Sequence, residues 1–453
     1  MHPFLRVSNL SKLPTSTRVI SLPRVNTSII VLHLKQLAYA AASSRRTYLD
    51  VRSLSQAVSD LPDQLQPLAL PAFYVTLDPS DIPVILEGLD SPTLLEDVKA
   101  LHLRINQVDI SLLSIATLLS VAFDHIPPLA FLDLWPRTRR WIDFRCTYQE
   151  HLPAVSIAKP YTVYLQIFWW FARSPQVAGL VNATPGVLNL VGRVMHESDS
   201  FQWCKYLVHW FQQNQALEHR DLEELIMGAG GTRRDLASVI LLHLNRAVPT
   251  PEYDVTADSA LNLLGALLLV REMMDGKLDD SALRNVLLSQ GIVTACTTIS
   301  RALARSTHEM GRNVAFGFLA TLVSGMMRSP AHPRIAESLR AGLVPAIFSC
   351  SSGDNESTLV PVLQQVLPPS TVYHSVLSQL RLSLSDVRNV DTQENITSPT
   401  LLQYWQQFLV LAEHRLDVMK EYDAGSFTAP RTCGNLFRPL QFLTVHKVRQ
   451  PRQ

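Results

Sequence analysis

No cysteine in this chain has a neighbour at the spacing that metal sites use. The five, Cys146, Cys204, Cys296, Cys350 and Cys433, are scattered and form no C-x-x-C pair. That spacing argues against a sequence-readable zinc cluster. The odd count, without a secretory signal, argues for reduced thiols in an intracellular protein. Glycine is scarce beside proline, 17 against 28, which suits proline-stopped helices better than glycine-turned hairpins. No convincing membrane span is present: Ala260 to Val270 is apolar but is closed by Arg271-Glu272, well short of about 20 residues. Catalytic signatures are missing too. No serine sits in G-x-S-x-G, no pair of histidines makes H-E-x-x-H, and no cysteine has a nucleophile context.

Net charge is also nearly absent. A formal +1 supplies no field for nucleic acid or an anionic membrane surface. That neutrality conceals a local lack of acid. Residues Met1 to Leu49 hold no Asp or Glu and seven basic residues, which leaves 33 basic against 39 acidic residues in the remainder. An acid-free start containing arginine and serine has the composition of a mitochondrial presequence. It is equally that of a basic N-terminal arm or an irregular first helix. Cytoplasmic or nuclear residence is the leading expectation, with mitochondrial targeting through residues 1–49 as the alternative.

What is present is helical periodicity. Leu401, Trp405, Phe408, Ala412, Leu416 and Met419 recur at steps of three and four, with Gln406, Gln407, Glu413, Arg415, Asp417 and Lys420 between them. That is one apolar stripe on a helix of about six turns. Similar stripes run through Leu236 to Leu244, Ala260 to Met274, Val314 to Met326 and Val372 to Leu382. No stretch alternates apolar and polar residues between hairpin turns. The fold class read from this pattern is all-α.

A recurring join refines it. Gly291 and Gly342 each follow one helical pattern and open an apolar one directly, and Thr184-Pro185-Gly186 supplies a related start. Glycine past a helix end takes the left-handed conformation without a Cβ clash. The first two joins lie 51 residues apart, and Gly186 precedes Gly291 by 105, about two such periods. The pattern suggests an irregular armadillo/HEAT-like helical stack, with an irregular bundle as the competitor. Three parts follow: an N-terminal segment 1–49, one helical body 50–423, and a C-terminal tail 424–453. Loops are expected over Leu77 to Pro83, Ser351 to Ser357 and Val390 to Pro399.

Candidate sites are few. Gly228-Ala229-Gly230-Gly231-Thr232 has the glycines of a phosphate loop. It is followed by Arg233-Arg234 rather than Lys-Ser/Thr and has helices on both sides, so it reads as an interhelical loop. His196, His209, His219 and His243 share a region with several acids but not a ligand spacing. Six of the seven tryptophans fall between Phe131 and Phe211. Trp203, Tyr206, Leu207, Trp210 and Phe211 make a helical stripe that is either core or a partner groove anchored on Trp203, Tyr206, Trp210 and Phe211. Phe168-Trp169-Trp170-Phe171 covers every side of its helix and is expected to be buried throughout.

Several spaced motifs resemble a large group of mushroom-type fungal proteins that carry a MYND-type zinc finger. They are His2-Pro3 with Leu5-Arg6 and Ser8 to Pro14; Leu70 to Pro79; and Asp133-Leu134-Trp135-Pro136-Arg137 followed by Trp141 to Phe144 and His151-Leu152-Pro153. The resemblance implies a helical, armadillo-like body followed by a C-terminal zinc finger. Between Ser16 and Arg46 the chain departs from the family pattern, as an insertion or a mispredicted exon would. Cys433 and Asn435 match the finger's opening, yet His446 is the only later ligand-capable residue that pairs with Cys433. Tetrahedral zinc takes four ligands, so two cannot close a site. Zinc is the family's cofactor, and no metal or other cofactor is expected here, with Cys433 a vestige.

The leading expectation is a non-enzymatic helical scaffold that binds protein, with no nucleic-acid or membrane partner. The alternatives are a MYND adaptor whose metal module is lost by truncation or gene-model error, and an enzyme of unrecognised class.

Overall fold

The structure, a computed structural model, describes residues 1–15, 17–19, 30–32, 34–90, 95–152, 159–197, 202–214, 216–248, 256–274, 280–327, 332–351, 356–388 and 398–425. Among these residues the chain is all-α, with helices following one another from Leu34 to Asp423. A single strand pair, Thr17–Val19 against Ile30–Leu32, runs antiparallel. The tail expected from 424 lies almost wholly outside the described residues, Cys433 and His446 included. The described residues form two compact units, where the periodicity suggested one body from 50 to 423. The first holds Met1–Gln215 with His219–Gly231, and the second holds Ala216–Glu218 and the chain from Thr232.

In the first unit the N-terminal residues belong to the core. Two 3-10 turns, Pro3–Leu5 and Val7–Lys12, bury Leu5, Leu10 and Leu13. The turn at Pro3–Leu5 packs on helices Leu70–Thr76 and Ala130–Thr147, and the second turn packs on Leu34–Ala42 and Leu70–Thr76. Helix Leu34–Ala42 buries Leu34, Ala38 and Ala41, one face at steps of four and three. Residues 77–80 form a shorter loop than expected. Helix Asp81–Asp90 starts early enough to hold Pro83 in its first turn, where a missing N–H is harmless.

The stretch 98–125 is long and apolar enough to cross a membrane, but 67% of its apolar window is buried inside the protein. Its helix, Leu95–Ala122, packs against Tyr48–Ser59, Leu70–Thr76 and Pro160–Arg173. It also carries the fully buried Asp109. Arg145 of helix Ala130–Thr147 grips that carboxylate with two groups, Nε at 3.0 Å from Oδ1 and Nη2 at 3.1 Å from Oδ2. Nη2 donates a hydrogen bond to Oδ2, while Nε and Oδ1 are in ion-pair contact without a hydrogen bond; the buried pair ties the two helices together. Nearby, helices Val187–Glu197 and His219–Gly228 touch backbone to backbone. A Cβ on Gly228 would stand 2.0 Å from the Asn189 carbonyl oxygen, and one on Gly192 would stand 2.4 Å from that of Leu225.

The second unit is more regular. Helices Ser281–Ser289 and Ile292–Leu303 meet at 67° across Gly291, whose φ is +97°, and Glu309–Met327 returns alongside. His332–Ala341 and Leu343–Ser349 repeat that corner at Gly342, φ +101°, followed by the proline-broken helical run Glu356–Ser370. Two layers result. In one, Arg233–Ala247 packs on Ile292–Leu303, that helix on His332–Ala341 and Leu343–Ser349, and those on His374–Arg388. In the other, Ala257–Met274 packs on Glu309–Met327, which packs on the π turn Val362–Val366, which packs on Pro399–Asp423. This is the irregular armadillo/HEAT-like stack read from the joins. The glycine cluster is the interhelical loop expected, with Gly230 and Gly231 at φ +129° and +92°.

The stripe Leu401, Trp405, Phe408, Ala412, Leu416, Met419 is the buried face of helix Pro399–Asp423, residue for residue. Ser398 caps its start, accepting from the Leu401 amide at 3.1 Å. The stripe drawn through Val372 to Leu382 is corrected. Helix His374–Arg388 begins after Val372, both end residues are exposed, and the buried positions are Val376, Leu377, Leu380 and Leu384.

Candidate functional site

The four aromatics proposed as groove anchors are core residues. Helix Gln202–Asn214 lays Trp203, Tyr206, Trp210 and Phe211 inward, packing on helices Pro160–Arg173 and Val187–Glu197. Trp203 and Tyr206 are fully buried, Trp210 is 4% exposed and Phe211 8%. Burial pushes the Tyr206 phenol far above its ordinary range, and Glu224 and Asp221 push the same way. The expectation of a partner groove at Trp203, Tyr206, Trp210 and Phe211 is therefore corrected. The stripe is amphipathic because its apolar side faces other helices, which is what such stripes most often mean.

The aromatic run expected to be buried throughout divides instead. Phe168 and Phe171, one turn apart on helix Pro160–Arg173, point inward. Phe168 meets Trp135 edge-on at 4.9 Å, and Phe171 lies 5.2 Å from Trp135 and 5.6 Å from Phe131. Trp169 and Trp170 lie off that face and stay partly exposed. Their ring centroids are 4.5 Å apart at 65°. Phe123, at the end of the long helix's chain segment, sits 5.2 Å from Trp170 and 5.2 Å from Phe131. Arg173 closes the cluster: its guanidinium carbon is 4.8 Å from the Trp170 ring, 5.1 Å from Trp169 and 5.8 Å from Phe123. The side chain is exposed. Sequence reading missed Phe123 and Arg173. The available signal was Arg173 at steps of three and four from the tryptophan pair, the spacing at which helical side chains meet.

Chemically the cluster presents rings and donors. Indole N–H groups and the five guanidinium N–H groups give hydrogen bonds and accept none. The arrangement suits recognition rather than bond-making. Among the described residues no group of three or more His, Cys, Asp or Glu is placed to hold a metal ion. His209 instead bonds the Ala172 carbonyl through Nε2 at 2.8 Å, and His243 is buried. Burial raises the Cys296 and Cys350 thiols to about 12 and Cys146 to about 11, so each is a protonated, weakly nucleophilic thiol near neutrality.

The spaced motifs that carry the family resemblance converge in the first unit. The His2 amide donates to Asp133, and Arg137 stacks 4.1 Å from the Tyr74 ring while giving Nη1 to the Tyr74 carbonyl at 3.2 Å. Asp81 takes both Arg46, at 3.7 Å, and Arg104. Burial, with Arg46 adding like charge, lowers Arg104 to about 10. These contacts tie together segments that lie far apart in the sequence. No family model, no curated protein and no solved structure matches the chain.

Proposed function

We propose that this chain is a non-enzymatic helical scaffold that binds protein, with Phe123, Trp169, Trp170 and Arg173 as its contact face. The observation that carries the reading is the partly exposed cluster of Trp169, Trp170 and Phe123, in edge-on and tilted ring contact, with Arg173 over it. Interfaces concentrate their energy in aromatic and arginine anchors of this kind. Rings already packed against one another lose little freedom when a partner arrives. The packed helices of the first unit support the face, and the resemblance to the helical body of MYND-type proteins agrees with that role.

The test retrieves the tagged full-length chain from its own cells beside a Trp169→Ala/Trp170→Ala variant with an unchanged circular-dichroism spectrum. Proteins retained by the first and lost by the second support the reading. Identical sets, or none from either, overturn it. The adaptor reading rests on Cys433 and the resemblance alone, and sequencing the transcript beyond that codon decides it. For localisation we propose cytoplasm or nucleus. The burial of Leu5, Leu10 and Leu13 in the first unit favours retention of the N-terminal segment over its removal as a presequence. A fluorescent fusion with and without residues 1–49 tests this.

A further inference from the structure

We propose that the Phe123–Trp169–Trp170–Arg173 face takes an acidic segment of a partner protein, with carboxylates set beside apolar side chains. The inference rests on the scaffold reading above and adds the partner's chemistry.

Three features of the face argue for it. First, its hydrogen-bonding capacity is one-sided. The exposed guanidinium of Arg173 offers donors only, as does an indole, so a ligand that pairs them must bring acceptors. Second, Arg173 is exposed and forms no ion pair among the described residues, while three aromatic rings at 4.8 to 5.8 Å fix its position. A guanidinium laid over ring faces keeps its N–H edge free, and a carboxylate matches that edge with two parallel bonds. Third, Trp170 Nε1 is shielded from water and has no acceptor. An unpaired donor of that kind is destabilising, and a carboxylate drawn to Arg173 arrives beside the same ring. The rings themselves, partly exposed, call for apolar contact on either side of the acid. Asp124 borders the Phe123 end and is exposed, but it forms no ion pair with Arg173 among the described residues. Arg173 is the charge that lies over the tryptophans.

A test uses the full chain and three probes. They are a synthetic hexapeptide alternating Glu or Asp with Leu or Phe, its counterpart with Lys at every acidic position, and vesicles of phosphatidylcholine with phosphatidylserine. Binding is read by indole fluorescence and calorimetry. The acidic peptide binds, and added salt weakens it. Arg173→Ala weakens it by about ten- to a hundredfold, the range for a hydrogen bond to a charged group. Arg173→Glu reverses the preference toward the lysine peptide. Equal affinity for the two peptides, indifference to Arg173→Ala, or binding of vesicles in place of peptide overturns the proposal. Arg173 is exposed, so its variants test charge without disturbing the core. If cellular partners are lost in the double tryptophan variant while the charge swap has no effect, the scaffold reading stands and the acidic partner falls. If neither responds, both fall.

Discussion

Both units bury hydroxyls that turn back on helix carbonyls, Thr76 to Ala72 and Thr138 to Leu134 in the first, but the first adds a buried ion pair. The first places whole charges in its core: Asp109 against Arg145, with Gln107 reaching 3.2 Å to the Arg46 carbonyl. In the second, apart from Glu272 and His243, the buried polar side chains are hydroxyls. Most turn back on a nearby helix carbonyl: Thr297 to Val293 at 2.8 Å, Thr321 to Gly317 at 3.0 Å and Ser383 to Leu339 at 2.9 Å. A hydroxyl satisfied by its own or the next helix asks little of the neighbour. An ion pair fixes one partner in one place and leaves an expensive charge if that partner is lost. The second unit can therefore extend by repetition, whereas the first is built from particular, long-range pairs.

The sharpest way to break the comparison is at the helix crossing in the first unit. Gly228→Ala sets a Cβ 2.0 Å from a carbonyl oxygen, and Gly192→Ala sets one at 2.4 Å. Backbone cannot step aside as a side chain does, so each change costs at least about 3 kcal/mol, the upper end of overpacking effects. Gly317→Ala in the second unit is the control. Its Cβ also approaches to 2.4 Å, but the atom it meets is Leu267 Cδ2, the end of a flexible side chain. A cost nearer 1 kcal/mol follows. Denaturant melts measure both, and hydrogen exchange locates the loosened helices. Equal losses at Gly228 and Gly317 would refute the distinction between rigid and forgiving contacts.

Next in size is the pH response of the buried pair. Burial holds the Asp109 carboxyl up at about 6 although Arg145 pulls it down. A carboxyl higher in the folded than in the unfolded chain adds stability that is complete below about pH 4 and is lost as pH rises through 6. The full span is at most about 3 kcal/mol. Asp280 in the second unit behaves oppositely. Burial pushes it up, but the Leu283 amide at 2.9 Å and Arg233 at 2.9 Å outweigh that and leave it below the ordinary range. Its contribution is present above about pH 4 and is lost as pH falls. Acidification from pH 7 to 5 thus strengthens the first unit's 95–122 and 130–147 helices relative to 281–289, in hydrogen exchange corrected for intrinsic rate. Asp109→Asn removes that gain. Retention of the gain in the variant would show that another group carries it.

The same contrast explains how much was legible. The Leu401–Met419 stripe and the glycine corners follow from local rules, periodicity and left-handed φ, so sequence reading found them with the correct residues. The Asp109–Arg145 pair joins helices 36 residues apart in sequence, and no local rule connects them. The aromatic run 168–171 misled for a related reason. Four large apolar residues in a row occupy all sides of a helix, and only the neighbours decide which two remain outside. The stripe at 203–211 was read correctly as amphipathic, but periodicity does not say whether its apolar face meets this chain or another.

Smaller effects test whether the corners are alike in both units. Gly186→Ala, Gly291→Ala and Gly342→Ala each force a side chain into positive φ, at +83°, +97° and +101°. That costs about 1–2 kcal/mol wherever it occurs. The first two positions open onto free space. At Gly342 the new Cβ meets Arg301 Cδ and Nη1 at 2.8 Å, but Arg301 is exposed and can swing away, so little is added. Near-equal melting shifts would make the corner a local device shared by both units. A much larger loss at Gly186 would tie that corner to the first unit's specific packing.

The smallest stability change is expected at the contact face. Arg173 is exposed, and its stacking on Trp169, Trp170 and Phe123 is the kind worth about 0.5–1 kcal/mol where water reaches it. Arg173→Ala should therefore lower stability by no more than that, well under the cost of the Gly228 crossing. The comparison matters because a surface kept for recognition and a surface kept for folding respond differently. If Arg173→Ala melts the first unit as severely as Gly228→Ala, the guanidinium holds the helix end in place and the face is structural. A negligible shift leaves its exposed cation without a role in holding the fold, and binding is then the reason to examine it.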